Sequence, residues 1–247
     1  MLPMSPMRHV GILAHSADGA ALCFLEMVRE AARRLGAHQH PEITLSILPM
    51  GDSLAAWEAM DLDSINAHLR RSAQRLADAG CDFFVCPDNT AHIALDAAQE
   101  PYPLPGLHIA DIVAARARAG GHRRIALLGT RWTMEGRAYA AAFGRAGLEM
   151  SIPSSADRAL LDRLIFDELC QGIVSEPARA HWVRVIEQLK RDGCDAAALS
   201  CTEIPLIVTP EISPLPTLDS TRLLAHAAVA VALGIDPPPT WRAGRFR

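Results

Sequence analysis

A chain of 247 residues, half of them apolar, can bury a sizeable core without crosslinks, in one large domain or in two smaller ones. The formal net charge is −4, and because Lys and Arg are mixed with Asp and Glu along the chain, no basic stripe indicates a nucleic-acid partner. The start of the chain does not read as a secretory signal, and the apolar stretch at residues 223–235 is too short to span a bilayer, so we expect a cytoplasmic protein with no membrane partner.

Short apolar runs alternate with longer amphipathic stretches, a pattern typical of parallel sheets covered by helices on both faces. The apolar runs predict strands at residues 10–14, 43–48, 83–86, 125–128, 150–152 and 196–199. The amphipathic stretches predict helices at residues 20–35, 65–79, 133–146 and 182–190. The sequence therefore predicts an α/β fold of two similar lobes, each a parallel sheet flanked by helices.

Two proline-rich segments, residues 100–106 and 212–217, are the predicted crossings between the lobes. They predict a first α/β lobe and a second α/β lobe with these bounds: residues 1–105 plus 217–247, and residues 106–216. The final helix, at residues 219–233, would then return to the first lobe. The tail from residue 236 holds three consecutive prolines and is predicted to lie at the surface or to be disordered.

Two weak internal repeats support this duplication. The segment that begins at Leu76 and contains Gly-Cys-Asp recurs 113 residues later, beginning at Leu189, and residues 10–13 resemble residues 125–128 at nearly the same offset. The near-equal offsets predict two similar lobes related by a pseudo-twofold axis. The same offset of 113 relates Asp88 to Cys201, so these two side chains occupy equivalent positions in the two halves.

Asp88 and Cys201 each follow a predicted strand by a few residues. Ligands of open parallel sheets bind beyond the carboxyl ends of the strands, so both positions are candidates for an active site in a cleft between the lobes. Each is followed by polar residues that can begin a helix and contact a substrate, namely Asn89 and Thr90 in one half and Thr202 and Glu203 in the other. Free N–H groups at a helix start favour a carboxylate ligand.

Five segments resemble the aspartate/glutamate racemase family, a superfamily that includes hydantoin racemases. CPDNTAH at residues 86–92 is similar to its first active-site motif, and SCTEIPL at residues 200–206 is similar to its second. Three further segments resemble family sequences, LLGTRWTMEGRAY, IFDEL and PTLDSTRLL, at residues 127–139, 165–169 and 216–224. The resemblance covers about residues 8–235, in matching order and spacing.

Membership would imply an enzyme without PLP or another cofactor, in which two cysteines exchange a proton at the carbon next to a carboxylate. The second cysteine of that pattern falls on Cys201, and the first falls on Asp88, with Cys86 two residues earlier interpreted as core. An Asp/Cys pair could serve a racemase or epimerase. The alternatives are a one-sided decarboxylase, lyase or isomerase of the same superfamily and, in a different class, a non-catalytic protein that binds a small carboxylate.

Other candidate site residues follow predicted strands as well. His15 and Ser16 replace part of the family's glycine-rich turn, and Thr130 follows the fourth predicted strand. All three are candidates for substrate binding, and His15 could instead adjust Asp88 or serve a structural role. His92, four residues after Asp88, is interpreted as a packing residue that could also support it.

The remaining motifs exclude several classes of protein. No G-x-G-x-x-G turn, phosphate-binding loop or H-E-x-x-H pattern is present, which argues against dinucleotide enzymes, P-loop enzymes and metal hydrolases. The six cysteines show no C-x2-C spacing, so no metal site and no disulfide is expected. Cys201 is predicted to be the most reactive thiol. The expected partner is a small carboxylate or amino-acid substrate, and a homo-oligomer is left open.

The segment at residues 49–63 bears on the choice of substrate, because the corresponding loop of the family contacts the substrate side chain. It contains four acidic residues and neither Lys nor Arg, which makes it a poor receptor for a second carboxylate. Acidic residues are also favoured at helix starts, so a structural reason for them stays open. The sequence does not identify the substrate.

Overall fold

The computed structural model describes residues 7–242, which fall into two compact α/β units. The first unit runs to Ile109 and takes up the chain again at Leu224, and the second spans Ala110–Leu223. Each unit is built on one four-stranded parallel sheet flanked by helices. The predicted fold class is thereby confirmed.

The first sheet has the strand order β2-β1-β3-β4. Its strands are β1 (Val10–Ala14), β2 (Ile43–Ile47), β3 (Phe83–Val85) and β4 (Gly106–Leu107). The helices between them are α1 (Ala17–Leu35), α2 (Leu54–Ala59), α3 (Leu62–Asp78) and α4 (Ala91–Ala97), with a 3-10 turn at Met50–Ser53. Val10 of β1 is opposite Ile43 of β2 on one side and Phe83 of β3 on the other. Because β1 and β3 are parallel neighbours, their carboxyl ends lie at the same edge of the sheet.

The second sheet repeats this topology, with the order β6-β5-β7-β8. Its strands are β5 (Arg124–Gly129), β6 (Glu149–Ser151), β7 (Ala196–Ser200) and β8 (Thr217–Asp219). Its helices are α5 (Ile109–Ala119), α6 (Arg131–Glu135), α7 (Arg137–Arg145), α8 (Ser155–Asp167), α9 (Glu176–Arg191) and α10 (Ile204–Ile207), with a 3-10 turn at Leu169–Gln171. The last helix, α11 (Ser220–Ala232), begins here and belongs to the first unit from Leu224 onward. β5 and β7 lie side by side through Gly129 and Ser200, at their carboxyl ends.

The central strands bury side chains on both faces, as the apolar runs predicted. In β5, Ala126 and Leu128 pack into a cluster with α8 and α9, whereas Ile125 and Leu127 pack into a second cluster with α5 and α7. A parallel strand covered on both sides needs apolar residues at successive positions rather than at alternate ones. This explains why the strands appear in the sequence as continuous apolar runs.

The observed division of the chain differs from the predicted lobe boundaries by an edge strand at each crossing. Gly106 and Leu107 form the edge strand β4 of the first sheet, although residue 106 was assigned to the second lobe. Thr217–Asp219 forms the edge strand β8 of the second sheet, although residue 217 was assigned to the first lobe. The proline-rich segments lead into short edge strands, and the chain leaves each unit only after them.

The repeated Gly-Cys-Asp segment forms the same corner in both units. Gly80 and Gly193 end α3 and α9 in the left-handed region, with φ of 83° and 94°, where a side chain would be strained. The next residues, Cys81 and Cys194, donate their backbone N–H to the carbonyl of the leucine five residues earlier, at 3.1 and 3.0 Å. Two of the chain's six cysteines are thus buried residues of helix ends.

The aspartate of each corner joins the corner to the neighbouring strand. Asp82 Oδ2 accepts from the backbone N–H of His9 at 2.7 Å, just before β1. Asp195 Oδ2 accepts from the backbone N–H of Arg123 at 2.8 Å, just before β5. The repeat therefore has a physical basis, because the same three residues hold the amino ends of two neighbouring strands in each sheet.

Two other features differ from the predictions. The helix predicted at residues 133–146 is divided into α6 and α7 at Gly136, whose backbone is extended. The tail is predicted to lie at the surface or to be disordered, and residues 236–238 are exposed, but Trp241 stacks on His92 with ring centroids 5.2 Å apart and its backbone carbonyl accepts a hydrogen bond from the Gly106 N–H at 2.8 Å. The last residues of the tail, 243–247, and the first six residues of the chain lie outside the described residues.

Candidate active site

His15 and Asp88 meet at the carboxyl edge of the first sheet. His15 directly follows β1 and Asp88 follows β3 by three residues, and the two strands are neighbours. The His15 Nδ1 and Asp88 Oδ2 atoms are 2.7 Å apart. His15 is buried, with 3% of its side chain exposed, while 15% of the Asp88 side chain is exposed. Asp88 therefore keeps a route to solvent or to a small ligand, and His15 contacts it from inside the protein.

The two oxygens of Asp88 have different partners. Oδ1 accepts the backbone N–H of Ala91 at 3.1 Å, at the first residue of α4, and Oδ2 faces His15. Burial alone would raise the pKa of Asp88, but its contact with His15 and the hydrogen bond from the Ala91 N–H outweigh burial and hold the pKa below its usual value. Asp88 is thus a carboxylate at neutral pH, and it also caps a helix.

His15 has two further neighbours that sequence reasoning missed, Trp57 and Ser53. Trp57 Nε1 donates to His15 Nε2 at 3.0 Å, and Ser53 Oγ lies 3.4 Å from the same ring nitrogen. Both belong to the segment at residues 49–63, for which the sequence offered a substrate loop or an acidic helix start but no contact with His15. Trp57 is 6% exposed and is the segment's single aromatic residue, which was the one available signal of a packed position.

The other predicted site residues of the first unit surround this pair more loosely. Ser16 stands at the start of α1 without a side-chain capping bond, and Thr90 stands in the same way at the start of α4. Asn89 is buried, and its backbone carbonyl accepts from the His92 N–H at 3.3 Å. All three follow the carboxyl ends of β1 and β3, where the sequence predicted them.

His92 and Cys86 belong to the core. His92 is fully buried and its Nε2 lies 3.0 Å from the Cys86 carbonyl, to which it donates. Burial, followed by the neighbouring His108, lowers the pKa of His92 to about 3, so its ring is neutral at physiological pH. Burial strongly raises the pKa of the Cys86 thiol, and Asp88 raises it further. Neither residue is a ready proton-transfer group.

Cys201 and Thr130 follow the two central strands of the second sheet. Cys201 comes directly after β7, and its thiol donates to Glu203 Oε2 at 2.9 Å. Thr130 comes directly after β5, caps α6 by accepting the Thr133 N–H at 3.3 Å, and is 7% exposed. Thr202 is partly exposed between Cys201 and Glu203. The second unit thus places a thiol with a carboxylate partner where the first unit places Asp88 with His15.

The helices that follow the two candidate residues are shorter than expected. The sequence predicted helix starts at Asn89 and Thr202, with N-termini suited to a carboxylate ligand. α4 begins only at Ala91 and has seven residues, and α10 is a single turn of four residues. The dipole of so short a helix adds little, so the side-chain partners of Asp88 and Cys201 dominate the local electrostatics.

Accessibility divides the cysteines into two groups. Cys201 is partly exposed and Cys170 is exposed, whereas Cys23, Cys81, Cys86 and Cys194 are buried. Burial raises the pKa of Cys81 to about 11 and also raises the pKa values of Cys86 and Cys194. The thiolate is the reactive form, so these buried thiols react slowly.

Brief treatment with iodoacetamide is therefore expected to modify Cys170 and Cys201 and to spare the four buried cysteines. In a Cys170→Ser background, mass spectrometry should find the label on Cys201, and loss of activity should follow that label. A substrate should protect Cys201. Preferential labelling of Cys23, Cys86 or Cys194 would remove the basis for treating Cys201 as the reactive thiol.

Two general properties complete the description. Among residues 7–242, no three or more His, Cys, Asp or Glu residues are grouped so that they could hold a metal ion. Within the same part of the chain, every helix is too short or too polar to cross a bilayer.

Comparison with known proteins identifies relatives of this arrangement. The chain is 31% identical to a candidate Asp/Glu racemase of known structure from Yersinia pestis, over 92% of this chain and all of that one, with a TM-score of 0.84. An aspartate racemase homologue from Pyrococcus horikoshii OT3 shares the fold, with a TM-score of 0.78 and 24% identity over 92% of this chain and 99% of that one.

A further relative and a family profile agree with these structures. The chain is 23% identical over 228 residues to the broad-specificity amino-acid racemase RacX of Bacillus subtilis (strain 168), which covers 91% of this chain and 98% of RacX. The sequence profile of the family described as Asp/Glu/Hydantoin racemase matches residues 19–228. The chain belongs to the Asp/Glu/hydantoin racemase family.

Proposed function

We propose that this protein is a cofactor-independent amino-acid racemase or epimerase in which Asp88 and Cys201 exchange protons with opposite faces of the substrate α-carbon. The supporting observation is that the two residues follow equivalent strands of two sheets with the same topology. Each has a hydrogen-bonding partner that can control its proton, His15 for Asp88 and Glu203 for Cys201. Membership of a racemase family supports the reaction class.

In the proposed reaction the α C–H bond breaks and its proton passes to the Asp88 carboxylate. The electron pair stays on the α-carbon, next to the substrate carboxylate, and then takes the proton of the Cys201 thiol from the opposite face. Asp88 is left protonated and Cys201 is left as a thiolate. Loss of the first proton to water and recovery of a proton by the thiolate restore the starting state, so that protons balance over the cycle.

The two groups differ in basicity, and this difference sets the resting state. An ordinary Asp has a pKa near ~3.9 and an ordinary Cys near ~8.5, and the pKa of Asp88 is held lower still. In the proposed resting state, Asp88 is therefore a carboxylate and Cys201 is the thiol that donates to Glu203. Because free enantiomers have equal free energies, kcat/KM must be the same in both directions, and the inequality of the two groups appears in kcat.

A one-sided reaction of the same superfamily is the second candidate. A decarboxylase, a lyase or an isomerase needs one group that protonates a carbanion, and Cys201 carries a proton that it shares with Glu203 at 2.9 Å. In that case Asp88, fixed by His15 and Ala91, would orient the substrate instead of accepting its proton. The presence or absence of inverted product distinguishes the two candidates.

We further propose an amino acid whose side chain carries no second carboxylate. The segment at residues 49–63 borders Asp88, because its Trp57 and Ser53 contact the His15 ring. It contains no Lys or Arg to bind a second carboxylate, and its four acidic residues are exposed, namely Asp52, Glu58, Asp61 and Asp63. The acidic residue Asp61 has a structural role as the cap of α3. The lack of Lys and Arg in the segment still argues against a second substrate carboxylate.

The decisive experiment is α-hydrogen exchange in deuterated water across a panel of L- and D-amino acids and related 2-substituted acids. Exchange with inversion supports the racemase, and neutral amino acids are expected to react faster than aspartate or glutamate. Product formation or exchange without inversion supports the one-sided reaction. Binding of a carboxylate with neither would identify a non-catalytic binding protein. The double variant Asp88→Asn/Cys201→Ala serves as the protein blank.

A further inference from the structure

The His15 ring lies between a carboxylate and an indole, and both of its nitrogens are engaged. Nδ1 is 2.7 Å from Asp88 Oδ2, and Nε2 is 3.0 Å from Trp57 Nε1. Ser53 Oγ, at 3.4 Å from Nε2, donates to the Met50 carbonyl at 2.9 Å. The Ser53 hydroxyl thus donates its proton to Met50, and the hydrogen bond that His15 Nε2 accepts comes from Trp57.

These contacts determine where the protons of His15 lie. An indole N–H donates and cannot accept, so Nε2 must present its lone pair to Trp57. A neutral imidazole carries one proton, which is then on Nδ1 and is donated to Asp88 Oδ2. A second proton on Nε2 would point at the Trp57 N–H and leave that buried indole donor without its acceptor, although Ser53 Oγ, 3.4 Å away, could accept the new N–H.

We infer that Trp57 is a positioning residue that locks His15 as the neutral Nδ1–H tautomer, so that His15 holds Asp88 as a carboxylate and delivers no second proton to it. The consequence for catalysis rests on the proposed function, but the tautomer itself does not. With His15 locked, the proton that Asp88 takes from a substrate stays on Asp88 until it leaves to solvent. Helix α2, which carries Trp57, thereby controls the base from outside the sheet.

The charge of Asp88 favours a second proton on His15, and the contact with Trp57 opposes it. Burial lowers the pKa of His15, but the Asp88 carboxylate raises it by more, which favours a second proton on the ring. Among the described residues, His68 is a second titratable group beside the ring, with ring centroids 6.5 Å apart and a pKa lowered by burial and then by His15. Asp88 in turn has Cys86 and His92 as titratable neighbours. Trp57 is the contact that opposes the second proton directly.

The test is nitrogen NMR of the histidine rings in ¹⁵N-labelled protein, with the His15 signals identified by their loss in His15→Gln. In the wild type at neutral pH, Nδ1 is expected to carry the proton and Nε2 to be unprotonated. Trp57→Phe keeps a ring but removes the N–H, so His15 should titrate about one pH unit higher, which corresponds to the loss of one hydrogen bond. Leu54→Ala changes a 47% exposed side chain on the same helix and should leave the titration unchanged.

An Nε2–H tautomer or a doubly protonated ring in the wild type at pH 7 overturns the inference, and so does an unshifted titration in folded Trp57→Phe. If that variant does not fold, the wild-type spectrum still decides. In an active enzyme, a His15 ring that gains a second proton in Trp57→Phe should lower the pKa of Asp88 and make it a weaker base. A decrease of one pKa unit in Asp88 should lower kcat by up to about tenfold with little change in KM. If the tautomer is locked but the protein acts on no amino acid, the proposed function is wrong and the inference about Trp57 and His15 still holds.

Discussion

Asp88→Asn is expected to lower the rate of racemisation by about a hundredfold or more, with a much smaller change in KM. An amide cannot accept the α-proton, and the loss of a positioned general base has an effect of this size. The rate is measured by the change in optical rotation or by chiral chromatography with the best substrate of the panel. A variant that keeps near-normal activity would show that Asp88 is a helix cap and that Cys201 acts alone.

The contacts of Asp88 add a second expected effect of this substitution. The carboxylate accepts from Ala91 N–H at one oxygen and from His15 Nδ1 at the other. An amide has one acceptor atom, so its NH₂ group must face one of these two donors and leave it unpaired. The free energy of unfolding should fall by about 1–3 kcal/mol, as measured by urea denaturation. If Asp88 were only a cap, Asn would replace it at little cost.

A matched control lies at the opposite end of the same strand. Asp82 accepts the His9 backbone N–H at 2.7 Å just before β3, far along the strand from Asp88. Asp82→Asn should leave racemisation unchanged after correction for any loss of stability. Asp88→Cys is expected to retain or increase two-way racemisation, because it gives both positions groups with an ordinary pKa near ~8.5.

Cys201→Ala is expected to stop nearly all racemisation but to leave exchange of the α-hydrogen in one of the two enantiomers. Asp88 can still remove and return a proton on its own face, so one enantiomer should exchange its α-hydrogen with deuterated water without inverting. Inversion should fall by about a hundredfold or more, since no acid remains on the other face. Asp88→Asn should show the complementary pattern, with slow exchange confined to the opposite enantiomer.

Cys170→Ser removes the other accessible thiol and provides the control for Cys201→Ala, since its exposed side chain belongs to the 3-10 turn Leu169–Gln171. This control should racemise at the normal rate. Equal exchange of both enantiomers in Cys201→Ala would refute the assignment of one face to each residue. Loss of all exchange would show that Cys201 also removes the proton, as the one-sided reaction allows.

Most of the fold could be predicted because parallel strands covered on both faces are continuous apolar runs. All six predicted strands are present, and β4 and β8 were missed. These two edge strands have two and three residues and follow proline-rich segments, so no apolar run indicates them. The division of the helix at Gly136 also escaped prediction, because the amphipathic pattern continues through the break.

The candidate site was predicted to the extent that it depends on topology. Neighbouring parallel strands end at one edge, and strand order therefore brings His15 to Asp88. Trp57 reaches His15 from a short helix in an irregular segment, and no periodicity in the sequence specifies that contact. The contact of Glu203 with the Cys201 thiol is local, two residues apart, yet residue types alone do not distinguish it from a substrate contact.

The Gly-Cys-Asp corners separate the scaffold of this protein from its chemistry. They are identical in the two halves and lie at the amino ends of the strands, where they join Asp82 to His9 and Asp195 to Arg123. At the carboxyl ends the two halves have diverged. Residues at the carboxyl edge of each sheet can therefore be substituted without loosening the amino edge. Positions 88 and 201 are thus natural targets for redesigning the reaction while the architecture is left intact.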